Sequence, residues 1–394
     1  MNDDDAHLDD RLRALRALTR EWAAGLHAHV LELDRDPGVI HRMTHLPALA
    51  YLATCMVPPG HQVDPVTAGP YGFHGTSALE RTVAIEEFAA VDAGALLAAP
   101  GPSLSGALVA ALGDEAQRTW YYGRILERPT WTFLALTEPE HGSDAAALGT
   151  SLTPGGDGTL LLSGTKRYIG NAARARMGVV FARTGPGPLG VTAVLVDTGA
   201  PGFAAEPIPT IGLRAAQVCA VTLDRVPVPP EHVLGRHLPP SRRGLWSGVQ
   251  MFNALRPGVA AIGVGVARAA HAYVTRHRAA LTAAEAERLA ALGAQIAAVR
   301  RLVHRAAAAV DADPAGGGYL ASAAKARACR LAEDVTLGCL AFFGPAARLE
   351  HPLLDKYVRD ARGLEFMEGT GTMQKLNVFR GLHSGRIGSA ARVT

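Results

Sequence analysis

The sequence predicts a mainly α-helical protein with a β domain in the middle of the chain. Three observations support this prediction. Apolar residues recur at helical spacing near the start, short β-rich segments follow one another in the middle, and the last third is rich in alanine and again helical. We therefore expect an N-terminal helical domain over residues 1–127, a barrel-like middle β domain over 128–238 and a C-terminal four-helix bundle over 239–394.

The N-terminal region opens with an amphipathic pattern. Between residues 8 and 35, apolar side chains recur three and four positions apart and charged ones occupy the other face, which predicts one opening helix. A Pro/Gly-rich passage over 57–72 interrupts the pattern, and Thr-Ser-Ala-Leu-Glu at 76–80 predicts the start of another helix. His61 and His74 lie in this loop region, where solvated or packed histidines are a simpler interpretation than a pocket.

The middle region carries the β signal in short segments. Each is rich in β-branched or aromatic residues and is bounded by Gly, Pro or Asp; they are 131–136, 178–183, 191–196 and 218–223. Prolines at 227, 229 and 230 are predicted to end the β domain.

The last third predicts helices with short joins. A capping box, Thr-Ala-Ala-Glu at 282–285, opens the second helix, and Asp-Pro-Ala-Gly-Gly-Gly at 313–318 ends it. The other three helices are predicted over 257–281, 320–343 and 353–362. Long alanine-faced helices with such joins indicate a four-helix bundle, whose core and ends often carry cofactor sites.

Composition narrows the classes of function. Of 394 residues, 48% are apolar and 19% are charged, which is typical of a globular protein. No apolar run approaches the ~20 residues that span a bilayer, and the acidic start lacks signal-peptide features, so we expect a cytoplasmic protein with no membrane contact. Four cysteines without Cys-x-x-Cys spacing argue against a metal site or disulfide framework. Arginine supplies 35 of the 39 basic residues, interspersed with acidic ones, which argues against nucleic-acid binding.

The segment 363–374 contains a candidate catalytic carboxylate. Glu368 is followed at once by Gly-Thr-Gly-Thr, which favours tight turns and predicts the N-cap of a short helix ending near Arg380. A carboxylate at such a place can remove a proton, while free N–H groups and threonine hydroxyls hold an anionic ligand. A capped surface turn without chemistry is the alternative that this stretch alone leaves open.

Three longer stretches together resemble the acyl-CoA dehydrogenase family of flavoproteins, and the resemblance covers nearly the whole chain. They are Leu-Thr-Glu-Pro-Glu-His-Gly-Ser-Asp at 136–144, Leu-Ser-Gly-Thr-Lys-Arg-Tyr-Ile-Gly-Asn at 162–171, and Arg-Asp-Ala-Arg at 359–362 followed by Glu-Gly-Thr-Gly-Thr-Met-Gln at 368–374. A fourth, weaker match runs from Gly-Leu-Arg at 212–214 through Val-Pro-Val-Pro-Pro at 226–230 to Leu-Gly at 234–235. Four matches in the family's order are hard to explain by chance.

The resemblance implies a reaction and a cofactor. The expected activity is α,β-dehydrogenation of an acyl group carried on CoA or on an acyl carrier protein. FAD is the expected hydride acceptor, and an electron-transfer flavoprotein or oxygen takes the electrons afterwards. Glu368 is the expected base, and its backbone N–H is one expected donor to the thioester carbonyl oxygen. A homodimer or homotetramer is implied, with a heteromer as the alternative.

The resemblance also implies site residues. Those expected to contact FAD are Leu134, Leu136, Thr137, Gly142, Ser143, Tyr168, Ile169, Gly170, Thr370 and Thr372. Those expected to contact the substrate are Ser143, Asn253, Arg256 and Gly369. The simpler interpretations are a Pro/Gly turn with an aspartate cap near 137–144, and capping of a bundle helix by Asn253 and Arg256.

The chain departs from the family at the adenine end of the expected FAD site. There the family has Arg-x-x-Phe-Gly and then a Gln, which reach across a dimer, whereas residues 281–285 here are Leu-Thr-Ala-Ala-Glu. Arg276, Arg278 and Gln295 are displaced candidates. A family Gln with a Gly-Gly pair is replaced by Leu-Ala-Phe-Phe-Gly-Pro at 340–345.

Two other functions stay open at this stage. Gly170 stands where the family offers a hydroxyl near the flavin N5, and an oxygen-reactive flavin would make the protein an oxidase or monooxygenase. The missing contacts at the adenine end would also fit a non-catalytic or half-catalytic subunit of a heteromeric pair. The sequence leaves the acyl chain and the choice between CoA and carrier protein open.

Overall fold

Helices make up the N-terminal third. The computed structural model describes residues 8–61, 63–156, 158–239 and 242–383, apart from the side chains of residues 245 and 246. The helices are α1 (Asp10–Ala24), α2 (Val30–Arg35), α3 (Pro47–Thr54), α4 (Ala78–Ala98), α5 (Ser103–Leu112) and α6 (Glu115–Glu127). A hairpin that was not predicted, β1 (Val66–Ala68) and β2 (Tyr71–Phe73), lies between α3 and α4.

The single helix predicted for residues 8–35 is wrong. α1 ends at Ala24, and the chain turns through a 3-10 segment, His27–His29, before α2 begins. The break lies at Gly25, and glycine has the lowest helix propensity apart from proline. The predicted start of α4 is confirmed, because Ser77 Oγ accepts the N–H of Glu80 at 3.2 Å.

A seven-stranded sheet forms the middle of the chain. Its strands are β3 (Thr132–Ala135), β4 (Ser151–Pro154), β5 (Leu160–Ile169), β6 (Met177–Arg183), β7 (Val191–Asp197), β8 (Phe203–Pro207) and β9 (Cys219–Val228). The order is β3-β6-β4-β5-β9-β8, with β7 paired to β6. β3 runs parallel to β6, and β9 runs antiparallel to β5 and β8. All four predicted segments form strands, and β4, β5 and β8 add to them.

Pro227 lies inside β9 instead of ending the domain as predicted. β8 pairs with β9 only along Cys219–Leu223, and beyond that point β5 is the neighbour, with Leu161 opposite Pro227. One side of β9 is therefore free of strand partners at Pro227 in the described sheet. A residue without an N–H is tolerated at such a position.

The C-terminal third is a helix bundle, as predicted. Its helices are α7 (Leu245–His277), α8 (Ala283–Ala312), α9 (Gly318–Leu340), α10 (Ala347–Glu350), α11 (Pro352–Leu364) and α12 (Gly371–His383). α7 begins well before Pro257, because its packing against α4 and α9 keeps the helix continuous through the proline. The capping box is confirmed, since Thr282 Oγ1 accepts the N–H of Glu285 and the Glu285 carboxylate accepts the N–H of Thr282.

The order helix, sheet, helix is confirmed, while the domain limits stay a prediction. α4 contributes residues to the apolar cores of both helical regions. All four cysteines are free thiols, as expected. Among the described residues, no single helix is long and apolar enough to cross a membrane, although α4 and α5, bent by 72°, pass that test as a pair.

A buried ion cluster joins the three parts of the chain. Lys356 in α11 is 2% exposed, and its ammonium donates to Asp92 Oδ1 of α4 and Asp360 Oδ2 of α11, each at 2.6 Å. Asp360 Oδ1 accepts the N–H of Leu213, in the loop between β8 and β9, at 2.6 Å. Asp92 lies at a kink of α4, where φ is −152°. The N-terminal helices, the sheet and the bundle therefore meet at one cation.

Lys356→Met should destabilise the protein by about 3–5 kcal/mol, because it leaves two carboxylates buried without a cation. Arg330→Met in α9 is the matched control, since Arg330 pairs with Asp334 at 2.9 Å but its side chain is 66% exposed. The control should change the free energy of unfolding by no more than about 0.5 kcal/mol. Urea unfolding measures the stability of both variants. Equal unfolding midpoints for Lys356→Met and Arg330→Met would contradict the central role of Lys356.

Candidate active site

Glu368 lies on a tight turn between α11 and α12. The turn spans residues 365–370. Glu368 has φ +50°, and Gly369 follows at +95°. A non-glycine residue in this left-handed region costs about 1–2 kcal/mol, so other contacts must hold the turn. Backbone strain of this kind concentrates at functional sites.

Side chains of α9 and α12 bind the carbonyl groups of this turn. Lys325 Nζ of α9 donates to the carbonyl of Glu365 at 2.8 Å and to that of Gly369 at 2.7 Å. Gln374 Nε2 of α12 donates to the carbonyls of Glu368 and Gly369, both at 3.0 Å. Lys325 and Gln374 are each 0% exposed. The backbone on both sides of Glu368 is therefore fixed from inside the protein.

Glu365 stabilises the start of α12. Its Oε1 accepts the N–H of Gly371 at 2.6 Å. The predicted cap from the threonine hydroxyls is weaker, because Thr370 Oγ1 lies 3.5 Å from the nitrogen of Met373. Glu365 is thus engaged in holding the helix, which distinguishes it from Glu368.

The Glu368 carboxyl group has the properties of a base. Its Oε2 atom is buried and has no hydrogen-bond partner in the part of the chain that the structure describes. Burial raises the pKa of Glu368 to about 7, against smaller lowering effects of Arg256, Lys325 and Arg81. The residue as a whole is half-buried, so part of it faces outward. A carboxylate with a pKa near neutral accepts a proton more readily than an ordinary one.

Arg256 and Asn253 lie together beside this turn. Arg256 Nη1 donates to Asn253 Oδ1 at 2.6 Å, and Arg256 Nε lies 3.5 Å from the carbonyl oxygen of Glu368. Asn253 Nδ2 approaches the carbonyl of Pro314 at 3.4 Å. The two residues are 8% and 9% exposed, respectively. The structure thus places Arg256 beside Glu368 and Asn253 against Arg256, while their contact with a substrate stays a prediction.

A buried carboxylate organises the segment after β3. Glu138 accepts hydrogen bonds from Lys166 Nζ at 2.9 Å, Thr150 Oγ1 at 2.5 Å and the N–H of Gly149 at 2.7 Å. Burial alone would raise the pKa of Glu138, but these hydrogen bonds lower it to about 2. Lys166 Nζ also donates to the carbonyl of Leu136 at 3.1 Å. One ion pair therefore connects the two segments predicted to contact a flavin.

These two segments lie side by side. The N–H of Arg167 donates to the carbonyl of Thr137 at 2.9 Å. Leu134 and Leu136 are half-buried, whereas the ring of Tyr168 is 62% exposed. The two segments therefore carry partly exposed apolar side chains and one exposed aromatic residue.

The backbone around Gly170 is unusual. Tyr168 and Asn171 both have φ +63°. Between them, Ile169 is buried and Gly170 is half-buried. A Cβ added at Gly170 would meet nothing closer than the carbonyl oxygen of Ala216 at 3.9 Å. The first side-chain atom of a serine or threonine would therefore make only ordinary contact there.

Gly142 and Ser143 lie exposed on the turn after Glu138, whose N–H donates to the carbonyl of His141 at 3.0 Å. Asp144 makes no side-chain cap to the short 3-10 segment that follows. The turn of the simpler interpretation is thus present without its aspartate cap, and Glu138 supplies the organising contacts instead.

The predicted residues form two groups. One lies on the sheet between Leu134 and Gly170, and the other comprises Asn253, Arg256, Glu368, Gly369, Thr370 and Thr372. The loop between β8 and β9 packs on α11 so closely that a Cβ on Gly212 would lie 2.1 Å from the carbonyl oxygen of Arg359. Among the described residues no hydrogen bond joins the two groups directly. Thr370 is half-buried and Thr372 is exposed.

The residues present suit the isoalloxazine end of FAD better than its adenine end. The first group offers half-exposed leucines, an exposed tyrosine and an open glycine, which match a flat, partly apolar ring. At the other end, Arg278 Nη2 pairs with Glu285 Oε1 at 3.0 Å within the chain. Arg276 and Gln295 are exposed, and Arg276 Nε lies 3.3 Å from the carbonyl of Ala272.

Sequence reasoning missed Lys325 and Gln374 as parts of the site. A signal for Lys325 was present, because the chain has four lysines against 35 arginines. Three of those lysines, Lys166, Lys325 and Lys356, are at most 2% exposed. An ammonium is compact enough to be surrounded by oxygen atoms in a core, so lysines kept in an arginine-rich chain mark buried polar clusters.

Known protein families match most of the described chain. A family model of the acyl-CoA dehydrogenase middle domain matches residues 134–226, and one of the acyl-CoA dehydrogenase C-terminal domain matches residues 242–383. A short-chain specific acyl-CoA dehydrogenase of Megasphaera elsdenii is 30% identical over 323 residues, which cover 78% of this chain and 82% of that protein.

Solved structures share the fold. Butyryl-CoA dehydrogenase from Megasphaera elsdenii superposes with a TM-score of 0.81 at 26% identity, covering 95% of this chain and 98% of that one. A chain in a structure described as the electron transferring flavoprotein of Acidaminococcus fermentans superposes with a TM-score of 0.82 at 25% identity, covering 96% and 99%. The prediction made from the motifs is thus confirmed, and the chain belongs to the acyl-CoA dehydrogenase family of oxidoreductases acting on CH–CH groups.

Proposed function

We propose that the protein catalyses α,β-dehydrogenation of an acyl thioester, carried on CoA or on an acyl carrier protein, with Glu368 as the base and FAD as the cofactor. The observation that carries this proposal is the buried, unpartnered Oε2 of Glu368, together with a pKa raised to about 7 by burial. The names of the short-chain acyl-CoA and butyryl-CoA dehydrogenases support a CoA thioester as substrate.

In the proposed reaction Glu368 takes the α proton of the acyl chain. The electron pair of the α C–H bond forms the new C=C bond, and the β hydrogen leaves with its electron pair. When bound, FAD supplies the hydride acceptor. Negative charge develops on the thioester carbonyl oxygen as the proton leaves. The N–H of Glu368 makes none of the described hydrogen bonds and is held in place by the turn, so it can donate to that oxygen.

The two groups of residues divide the binding tasks. The segments Leu134–Ser143 and Tyr168–Gly170 would contact the flavin ring, and Thr370 and Thr372 its pyrophosphate. Ser143, Asn253, Arg256 and Gly369 would contact the thioester. The likeness to a chain in the Acidaminococcus fermentans structure supports an electron-transferring flavoprotein as acceptor. A cytoplasmic homodimer or homotetramer is part of the proposal.

Glu368→Gln should slow anaerobic flavin reduction by an acyl thioester by about 10²–10⁴-fold, because the amide keeps the shape but accepts no proton. In the unsubstituted protein the rate should rise with pH through about 7, as Glu368 loses its proton. Stopped-flow absorbance at several pH values measures both effects. Glu365→Gln is the matched control and should retain far more activity; a wild-type rate in Glu368→Gln would contradict the assignment.

Glu368→Gln also has an expected effect on stability, which would show that its slower flavin reduction is not caused by misfolding. The pKa of Glu368 is about 7 in the folded protein and 4.5 ordinarily, so the unfolded chain ionises at lower pH than the folded one. The free energy of unfolding therefore falls as pH rises from 4.5 to about 7. Glu368→Gln removes this loss of stability and should be more stable than the wild type at pH 8, by up to about 3 kcal/mol. The difference should vanish below pH 4.5 in urea unfolding.

A second candidate function is an oxidase or monooxygenase, and the open space at Gly170 favours it. Without a side chain there, one hydrogen bond to the flavin N5 region is missing and a small molecule has room beside the ring.

On this hypothesis Gly170→Ser should slow reoxidation of the reduced protein by oxygen, and Gly170→Thr should do the same. The Cβ of either variant has room, so folding should be unaffected. Stopped-flow mixing with oxygenated buffer measures the rates. Equal rates in all three proteins would remove the reason for this candidate.

FAD should be held loosely, because Arg278 is engaged with Glu285 and the family's Phe-Gly and Gln are missing. A charge-assisted contact to phosphate contributes roughly 1.5–3 kcal/mol, so its loss should weaken binding by about one to two powers of ten, to a micromolar dissociation constant. Flavin occupancy after long dialysis, followed by titration with FAD and with FMN, tests this. Arg276→Ala shows whether that displaced arginine compensates for the missing contact. Full retention of FAD by both the wild type and Arg276→Ala would overturn the prediction. FAD binding that is recovered only when a partner subunit is added would favour a heteromer.

A further inference from the structure

Lys325 is a buried cation whose hydrogen bonds all go to one turn. It lies in α9, it is 0% exposed, and its ammonium donates to the carbonyls of Glu365 and Gly369 at 2.8 and 2.7 Å. These two carbonyl groups stand before and after Glu368. The ammonium therefore closes the turn from its inner side.

The position of Lys325 suits the end of a helix. α11 ends at Leu364, and the last carbonyl groups of a helix have no partner within it. They also carry the negative end of the helix dipole, which a cation stabilises. Burial lowers the pKa of the Lys325 ammonium, against smaller raising effects of Cys329, Glu365 and Glu368. The two carbonyl oxygens at hydrogen-bond distance solvate the ammonium inside the protein.

The conformation that Lys325 holds is a strained one. Glu368 and Gly369 both have positive φ, which is unfavourable for a glutamate, so contacts to the flanking carbonyls must hold Glu368 in that region. Gln374 binds the same turn but carries no charge. Lys325 thus combines two properties that no other described contact of the turn combines: it bridges the turn, and it is a cation buried from water.

We propose that Lys325 is a positioning residue for Glu368: it holds the backbone turn in its left-handed conformation and keeps a fixed positive charge that favours the ionised carboxylate. This inference rests on the proposed role of Glu368 as the base. It assigns to α9 a function in proton removal through a side chain that is buried behind the turn.

Other charges also face Glu368, and they differ from Lys325 in what else they hold. Arg256 comes from α7 and binds Asn253, and Arg81 comes from α4 and binds the carbonyls of Gly75, Thr76 and Ala254. Glu365 lies on the turn itself and binds Gly371. Replacing Lys325 therefore changes the turn with the fewest effects elsewhere.

Lys325→Met removes the charge and both hydrogen bonds at nearly constant volume. Cys329→Ala is the matched control, because Cys329 lies one helical turn further along α9 and its Sγ contacts the carbonyl of Leu364 at 3.4 Å without a formal charge. Lys325→Arg restores the charge, and Lys325→Gln provides a second uncharged variant in case the methionine variant does not fold. All four are made in the full chain as purified.

The first measurement is the titration of the Glu368 carboxyl carbon by 13C NMR, with the resonance assigned by its loss in Glu368→Gln. Lys325→Met or Lys325→Gln should raise the midpoint by about 0.5 pH unit or more, because a nearby cation has been removed. Cys329→Ala should leave it unchanged, and Lys325→Arg should move it back. An unchanged midpoint in both uncharged variants would overturn the proposal, since it would show that Lys325 only supports the fold.

The second measurement is anaerobic flavin reduction against pH and substrate concentration. The limiting rate at pH 7 should fall by about tenfold in the uncharged variants, with KM little changed and the acid limb displaced to higher pH. A rise in KM with an unchanged limiting rate would contradict the proposal. If Glu368→Gln itself reduced flavin normally, the proposed base would be wrong, and the NMR midpoint would still decide whether Lys325 acts on that carboxylate.

Discussion

The arrangement of the three parts of the chain depends on the ion cluster around Lys356. A cation and two carboxylates cost free energy when they leave water, and only close mutual contact offsets that cost. The cluster therefore exists in one geometry, with α4 kinked at Asp92 and the loop between β8 and β9 held by the N–H of Leu213. α11 carries Lys356 and Asp360, and it runs directly into the turn that bears Glu368. The position of that carboxylate relative to the sheet follows from the cluster.

Much of the fold could be predicted because its signals are local. The capping box at Thr282, the cap at Ser77 and the four predicted strands all depend on residues close together in sequence. The break at Gly25 was a local signal that the prediction overlooked, whereas the two errors at prolines arose where distant packing decides. α7 continues through Pro257 because α4 and α9 pack against it, and β9 accepts Pro227 because β8 ends earlier. Neither neighbour can be recognised from the residues around the proline.

The candidate site, like the fold, could be predicted where its signals are local in the sequence. Glu368 and the two segments predicted to contact a flavin follow from short motifs, and the structure brings each group together. The side chains that hold them were not predicted, because Lys325 and Glu368 are 43 residues apart and Lys166 and Glu138 are 28 apart. A buried hydrogen bond between distant residues leaves no periodic pattern in the sequence. Scarcity was the only sign, since lysine is rare in this chain.

The burial of those lysines has a chemical consequence. Acyl thioesters transfer their acyl group to free amines without any enzyme, so a protein that handles them is exposed to slow modification of its own side chains. An amine reacts only when it is accessible and has lost its proton. Lys166, Lys325 and Lys356 are at most 2% exposed and so are not accessible to an acyl thioester, and Lys375 is the one lysine on the described surface. Because nearly all of its basic residues are arginines, the chain exposes a single lysine side chain that a thioester could acylate.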